Sequence, residues 1–269
     1  MKNLWIMTWY TLREAMARKV FIFFLIISVL VLIVTSLIFG LSNSVSLGTG
    51  GGPTPYGNPI ITVEMLVISP LAGLCLLLAI FSSSSFVPVM LEKGNIDLLL
   101  SKPVSRDQLL LGKYLGGILV VLLNVAFLII GVWLIISLKF SFWDFYFLNI
   151  IFSITFTFAV LYSLIVLLCV ITKGSTLGMM TAYFIFIILS PLLFAAKDKF
   201  SAFIENKFLK DLIEAFYYII PKTSELMGKV TVNIASGKAI EDYQPILTSL
   251  VFLILTMGIA ISIFRKKDF

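Results

Sequence analysis

The sequence predicts an all-α polytopic membrane protein, a single transmembrane domain over residues 1–269 with six membrane-crossing helices. Three observations predict it. Of 269 residues, 60% are hydrophobic and only 13% are charged, whereas a soluble globular domain is about half apolar and about a quarter charged. Six windows near the length of a bilayer crossing contain no charged residue. The basic residues crowd into alternate connections between those windows, the asymmetry that sets orientation in a membrane.

The elements follow in order. Residues Met1–Lys19 read as an interfacial elbow helix. Leu4, Trp5, Trp9, Leu12 and Met16 recur at helical spacing, and Arg13, Glu14, Arg18 and Lys19 close the segment. Such a helix lies in the headgroup layer with its tryptophans at the interface. A crossing needs about 20 apolar residues, because about 30 Å of hydrocarbon is covered at about 1.5 Å per residue. The spans are Val20–Phe39, Met65–Phe86, Tyr114–Leu138, Phe145–Ile171, Thr176–Ala196 and Ile246–Phe264. The first reads as a crossing and not as a cleaved leader, because it follows a polar-flanked stretch and is long enough to span. A charge at a span's centre would cost about 2.5–3.5 kcal/mol, so clean windows between charged connectors are a strong signal.

Between the spans, Ser42–Pro59 is built of Gly, Ser, Thr, Asn and Pro, a flexible external connector. Glu64 stands at the outer edge of the second span and reads as a headgroup-level carboxylate. Ser82–Ser85 reads as close helix packing. Asn124, Ser153, Thr155 and Thr157 are mid-span groups suited to helix–helix hydrogen bonds, and Gly112-x-x-x-Gly116 and Gly174-x-x-x-Gly178 have the spacing of packing notches. The external loop Lys197–Gln244 carries Phe200, Phe203, Ile204, Phe208, Leu212, Ile213 and Phe216 at helical spacing, opposite Glu205, Lys210, Asp211 and Glu214. It predicts an amphipathic helix that stops before Pro221 and a second short helix from about Ser224.

Orientation follows from Lys and Arg. With an even number of spans both termini share a side, and that side holds twelve basic residues: Lys2, Arg13, Arg18, Lys19, Lys93, Lys102, Arg106, Lys113, Lys173, Arg265, Lys266 and Lys267. The two short loops opposite hold only Lys139. Both termini are therefore expected in the cytoplasm, in the cell's inner (plasma) membrane. The long loop has seven lysines and seven acidic residues and does not vote. The net charge of +6 thus belongs to a membrane face and not to nucleic acid.

The cytoplasmic segment Leu91–Gly117 joins spans two and three and carries seven charges. Ile96 and Leu98–Leu100 make an apolar patch. Lys102-Pro103 then breaks the helix. Ser105 is a candidate N-cap and Asp107 an early acidic residue for the next helix. The segment predicts a short helix across the membrane face, a turn, and the third span. A rigid element of that kind moves as a unit when pushed.

On these residues the chain resembles permease subunits of ABC transporters of the ABC-2 class, in their compact six-span form. The resemblance rests on Glu92, Gly94, Leu98-Leu99-Leu100, the turn Lys102-Pro103-Val104-Ser105-Arg106, and Gly112-Lys113. The elbow Thr11-Leu12-Arg13-Glu14, Pro221 with Ser224-Glu225-Leu226, and the segment Phe264–Phe269 also fit. The resemblance implies that Leu91–Pro103 is a coupling helix docking into a separate ATPase subunit. Glu92, Gly94, Asp97, Leu98, Leu99, Leu100 and Pro103 would belong to that contact, while Arg106 and Lys113 would pin the turn and anchor the third span.

No catalytic, cofactor-binding or metal-binding residue is expected in this chain. It has no histidine, and its two cysteines, Cys75 and Cys169, sit inside apolar runs without CxxC spacing. Gly112-Lys113, Gly228-Lys229 and Gly237-Lys238 each lack both the upstream Gly and the following Ser or Thr of a P-loop. ATP and Mg²⁺ are therefore expected in the partner. Two ATPases closing on each other need two docking helices, and this chain offers one, so a dimer with itself or a related permease is expected. The function expected is export, with an amphipathic or lipid-like cargo suited to weakly charged spans. A non-transporting scaffold or mechanotransmitter is the alternative. An ion-coupled transporter fits less well, because no mid-span carboxylate is present.

Overall fold

The computed structural model of the protein describes residues 2–17, 19–41, 59–92, 94, 105–197, 214–240 and 242–267. Among them it is helical throughout, without strands. The helices are α1 (Lys2–Ala17), α2 (Lys19–Leu41), α3 (Pro59–Ser83), α4 (Phe86–Met90), α5 (Arg106–Phe140) and α6 (Ile150–Thr172), the last entered through a 3-10 turn, Tyr146–Asn149. Then come α7 (Thr176–Ala195), a short helix α8 (214–219), α9 (223–235) and α10 (Gln244–Lys266). Among the described residues, five segments are long and apolar enough to cross a membrane: Pro70–Met90, Arg106–Phe140, Tyr146–Thr172, Thr176–Ala195 and Gln244–Lys266. A sixth is obtained when Leu4–Ala17 and Ile22–Leu37, bent by 67° to each other, are counted as one. The protein is a multi-pass membrane protein.

Helix α6 is the centre. It is buried along most of its length and touches α3, α4, α5, α7, α9 and α10. Its contacts with neighbours combine apolar packing with hydroxyl pairs. The Ser163 and Thr256 hydroxyls lie 2.7 Å apart, joining α6 to α10. Ser153 and Thr231 do the same at 2.7 Å between α6 and α9. Tyr114 of α5 donates to the Ala159 carbonyl at 2.9 Å and stacks on Tyr162, their centroids 5.5 Å apart. In an apolar medium such bonds carry helix association, because apolar surface alone gains little over lipid. Asn124 and Thr157 instead bond back to carbonyls of their own helices, Val120 and Ser153, and Thr155 Oγ1 has no hydrogen-bond partner.

Small residues set the closest approaches. Helix α1 lies along the first turns of α5, its Met7, Thr11, Leu12 and Ala15 buried. A Cβ at Gly112 would lie 2.5 Å from the Met7 Cβ, and one at Gly116 would collide with Thr11. Gly178 meets the Ile165 carbonyl oxygen at 3.1 Å from a built Cβ, whereas Gly174 has only a distant Thr172 hydroxyl. The first notch is thus a real one, and only the second half of the other is. Gly174 lies outside the regular helix that starts at Thr176. Ser82, Ser83 and Ser84 are buried, and Ser83 and Ser84 bond back to the carbonyls of Ala79 and Phe81. That is packing, not a hydrated surface.

Proline shapes two spans. Pro70 sits inside α3. In α7 a π-helical turn, Ile185–Leu189, precedes Ser190-Pro191. Pro191 has no N–H to give the carbonyl four residues back, and its ring crowds that turn, so the backbone widens there. A second π turn, Leu226–Val230, interrupts α9, and Thr231 Oγ1 donates to the Leu226 carbonyl at 2.7 Å.

Two sequence expectations need correction. Glu64 is fully buried, with no hydrogen-bond partner for either carboxylate oxygen. The reason is that α3 begins at Pro59, so Glu64 sits a turn inside a packed helix and not at its exposed edge. On the elbow helix Leu12 is buried against α5, while Trp5, Trp9 and Met16, on the same side of the helix, are exposed. The helix expected over Leu91–Pro103 does not begin at Leu91. That residue caps α4, Glu92 follows in a bend, and Gly94 at φ +94° takes the left-handed backbone that stops a helix. Of the long external loop, α8 ends before Pro221 and α9 begins at Thr223. Its expected amphipathic stretch from Phe200 to Ile213 lies outside the described residues.

Candidate functional site

The site of interest is the connection from α4 to α5. It is entered through α4, whose Phe86, Val87 and Met90 are buried together with Leu91 and which rests on α5 and α6. Glu92 and Gly94 are exposed. Asp97, Leu98, Leu99, Leu100 and Pro103 lie outside the described residues. The connection is left through a capping box: the Ser105 hydroxyl accepts from the Gln108 N–H at 3.3 Å, and the Gln108 side chain accepts from the Ser105 N–H at 3.4 Å. Two of the orphan N–H groups that open any helix are thereby satisfied. Asp107 sits in the first turn, as the sequence predicts.

The two basic residues singled out on α5 take different partners. Arg106 Nη1 donates to the carbonyls of Phe264 at 3.5 Å, Arg265 at 3.3 Å and Lys267 at 2.6 Å. These carbonyls lie in the last turn of α10 and at the residue just past it, where carbonyls lack helical partners. Lys113 is 2% exposed and forms an ion pair with Glu14 of α1, with the Tyr10 ring 5.7 Å away. The structure therefore does not join Arg106 and Lys113 in one cluster. Arg106 holds α10, and Lys113 holds α1.

Single-sequence reasoning missed three residues here. Arg265 reaches back to Asp107 with two parallel bonds, Nε to Oδ1 at 2.7 Å and Nη2 to Oδ2. Lys267 Nζ donates to the Val170 carbonyl at 2.6 Å and to that of Ile171 at 2.9 Å, at the end of α6. Burial, and then the charge of Lys173 beside it, hold the Lys267 ammonium below its ordinary pKa. Glu14 is the third. Their charges were visible in the sequence, but partners about 100 or more positions away were not. The result is a basic end of the bundle at the start of α5 and the ends of α6 and α10, holding Arg106, Lys173, Arg265 and Lys267, with Lys113 and its partner Glu14 farther along α5.

A second polar cluster lies at the far end, on α8 and α9. The Tyr217 hydroxyl donates to Glu225. Lys197 Nζ and Lys222 Nζ stand 4.0 and 3.8 Å from the Tyr217 ring centroid. Lys222 is buried and its Nζ has no hydrogen-bond partner. Burial pushes its pKa down to about 8, with Lys197 adding to the fall and Glu225 and Asp242 opposing it. Burial, then the bond to Glu225, push Tyr217 up. Backbone N–H groups of Ser224 and Lys222 donate to Ser190 Oγ at 2.9 Å and Ser249 Oγ at 3.3 Å, tying the cluster to α7 and α10. Among the described residues, no three His, Cys, Asp or Glu side chains gather where they could hold a metal.

Comparison with known proteins agrees with the architecture. The sequence model of the family described as "ABC-2 family transporter protein" matches residues 12–269. No curated protein sequence matches the chain.

Proposed function

Because the chain belongs to the ABC-2 family of transporter proteins, we propose that it is the permease subunit of an ATP-driven exporter, coupled to a separate ATPase through the loop between its second and third spans. Two ATPase subunits bind ATP and Mg²⁺, and two permease copies, or this chain and a related one, enclose the path. The basic end faces the cytoplasm, as the excess of Lys and Arg there supports. The exposed faces of the spans are almost wholly apolar, which suits an amphipathic or lipid-like cargo moving along them.

One observation carries the reading. The loop leads into a capped helix start whose first two residues hold the end of α10. A push delivered to the loop therefore reaches the spans through bonded contacts, not through slack chain. The test is co-purification with candidate soluble ABC ATPases co-expressed with this chain. The wild-type permease is expected to retain the ATPase. Replacing Leu98, Leu99 and Leu100 together with Asp is expected to abolish retention while membrane insertion persists. Retention by the triple variant removes the docking role given to that patch.

A further inference from the structure

We propose that Asp107, Arg265 and Lys267 are positioning residues that bind the ends of α5, α6 and α10 into one rigid body and carry the ATPase's push beyond the third span. The inference rests on the reading of the loop as the place where that push arrives. Three helix ends meet here: α5 and α10 lend the side chains, and α6 offers its last carbonyls. Arg106 of α5 serves three carbonyls at the end of α10. Asp107 takes Arg265 in a two-point grip. Lys267, just past α10, serves the last carbonyls of α6. These bonds fix the helix ends, where the hydroxyl pair Ser163–Thr256 farther along α6 and α10 does not reach.

Magnitude separates this role from simple stabilisation. Arg265 is 64% exposed and Asp107 29%. An ion pair so exposed to solvent adds little to stability. A two-point guanidinium–carboxylate contact nevertheless fixes orientation, because a planar fork matches a carboxylate in only one geometry. What it supplies is registration between helices. Breaking it is expected to uncouple the spans without unfolding them.

The experiment uses the complex with the co-purified ATPase, in a background with Cys75→Ala and Cys169→Ala. A reporter cysteine replaces Val230, buried in α9 at the far end, and is labelled with a membrane-impermeant maleimide, with and without ATP plus vanadate. The parent complex is expected to label several-fold faster with nucleotide. Asp107→Arg and Arg265→Asp are each expected to keep the ATPase but lose that acceleration, and the double exchange to regain it. Arg265→Lys should recover only part, since an ammonium makes no fork. Lys267→Met should lose it with the Asp107–Arg265 pair intact. Single variants that accelerate like the parent overturn the inference, as does a double exchange that restores nothing. If a charge reversal fails to insert, Arg265→Gln is read on the same scale with the same two outcomes. A parent that binds no ATPase, or whose reporter ignores nucleotide, overturns the proposed function and this inference with it; single-variant results alone leave that function standing.

Discussion

Lys113 shows how one residue decides the fate of a helix. Its ammonium is enclosed by protein, and Glu14 supplies the opposing charge. Losing one partner of such a pair costs more than losing both, because a charge remains in a medium that solvates it poorly. Glu14→Gln is expected to lower the melting temperature in detergent by the equivalent of about 3 kcal/mol, and Lys113→Met in that background to recover much of it. Lys222 gives a pH dependence. Its folded pKa of about 8 lies below the ordinary 10.5, so the unfolded chain binds more protons between those values. Stability is then expected to rise with pH from about 8 to 10 and to be lost as pH falls through 8. Above about 10 the raised Tyr217 works the other way, since the unfolded phenol ionises first. Thermal melts across that range should show the rise, and Lys222→Met should flatten it. Neither enclosure was legible in the sequence. Glu64, Lys113 and Lys222 each read as an edge or loop charge, and only the approach of a second helix buries them.

At the scale of elements, the notch on α5 holds α1 in place. Gly112→Leu would drive a side chain into Met7, and overpacking of that kind costs about 1–3 kcal/mol. Thermal melts in detergent should show that loss for Gly112→Leu, while the helix content of the spans is expected to stay unchanged. The small-residue spacing was visible in the sequence, but its partner was not, because a glycine pair says only that something comes close. The Ser105 cap was fully legible, since hydroxyl, acidic first turn and Gln108 are all local. The hydroxyl pair Ser153–Thr231 was half legible, since Ser153 could be seen and its mate could not; neither member of Ser163–Thr256 stood out in the sequence.

At the scale of the whole molecule, the crossings could be read from length and charge because hydrocarbon tolerates so little polarity. Which faces point inward could not. In water, apolar periodicity separates inside from outside, but lipid is as apolar as a core, so Ile254 and Leu255 face outward while Met257 and Ala260 of the same helix are enclosed. Small and hydroxylated residues mark the interior instead. The widened turn in α7 bears on how such a bundle changes shape. A stretch wound at five residues per hydrogen-bonded step holds one more residue than its length needs. Rewinding it to ordinary α-helix would swivel everything beyond by about 100°. Ser190 would swing off the backbone N–H of Ser224, and the third of that crossing beyond the widened turn would rotate like a key while the other two-thirds stood still.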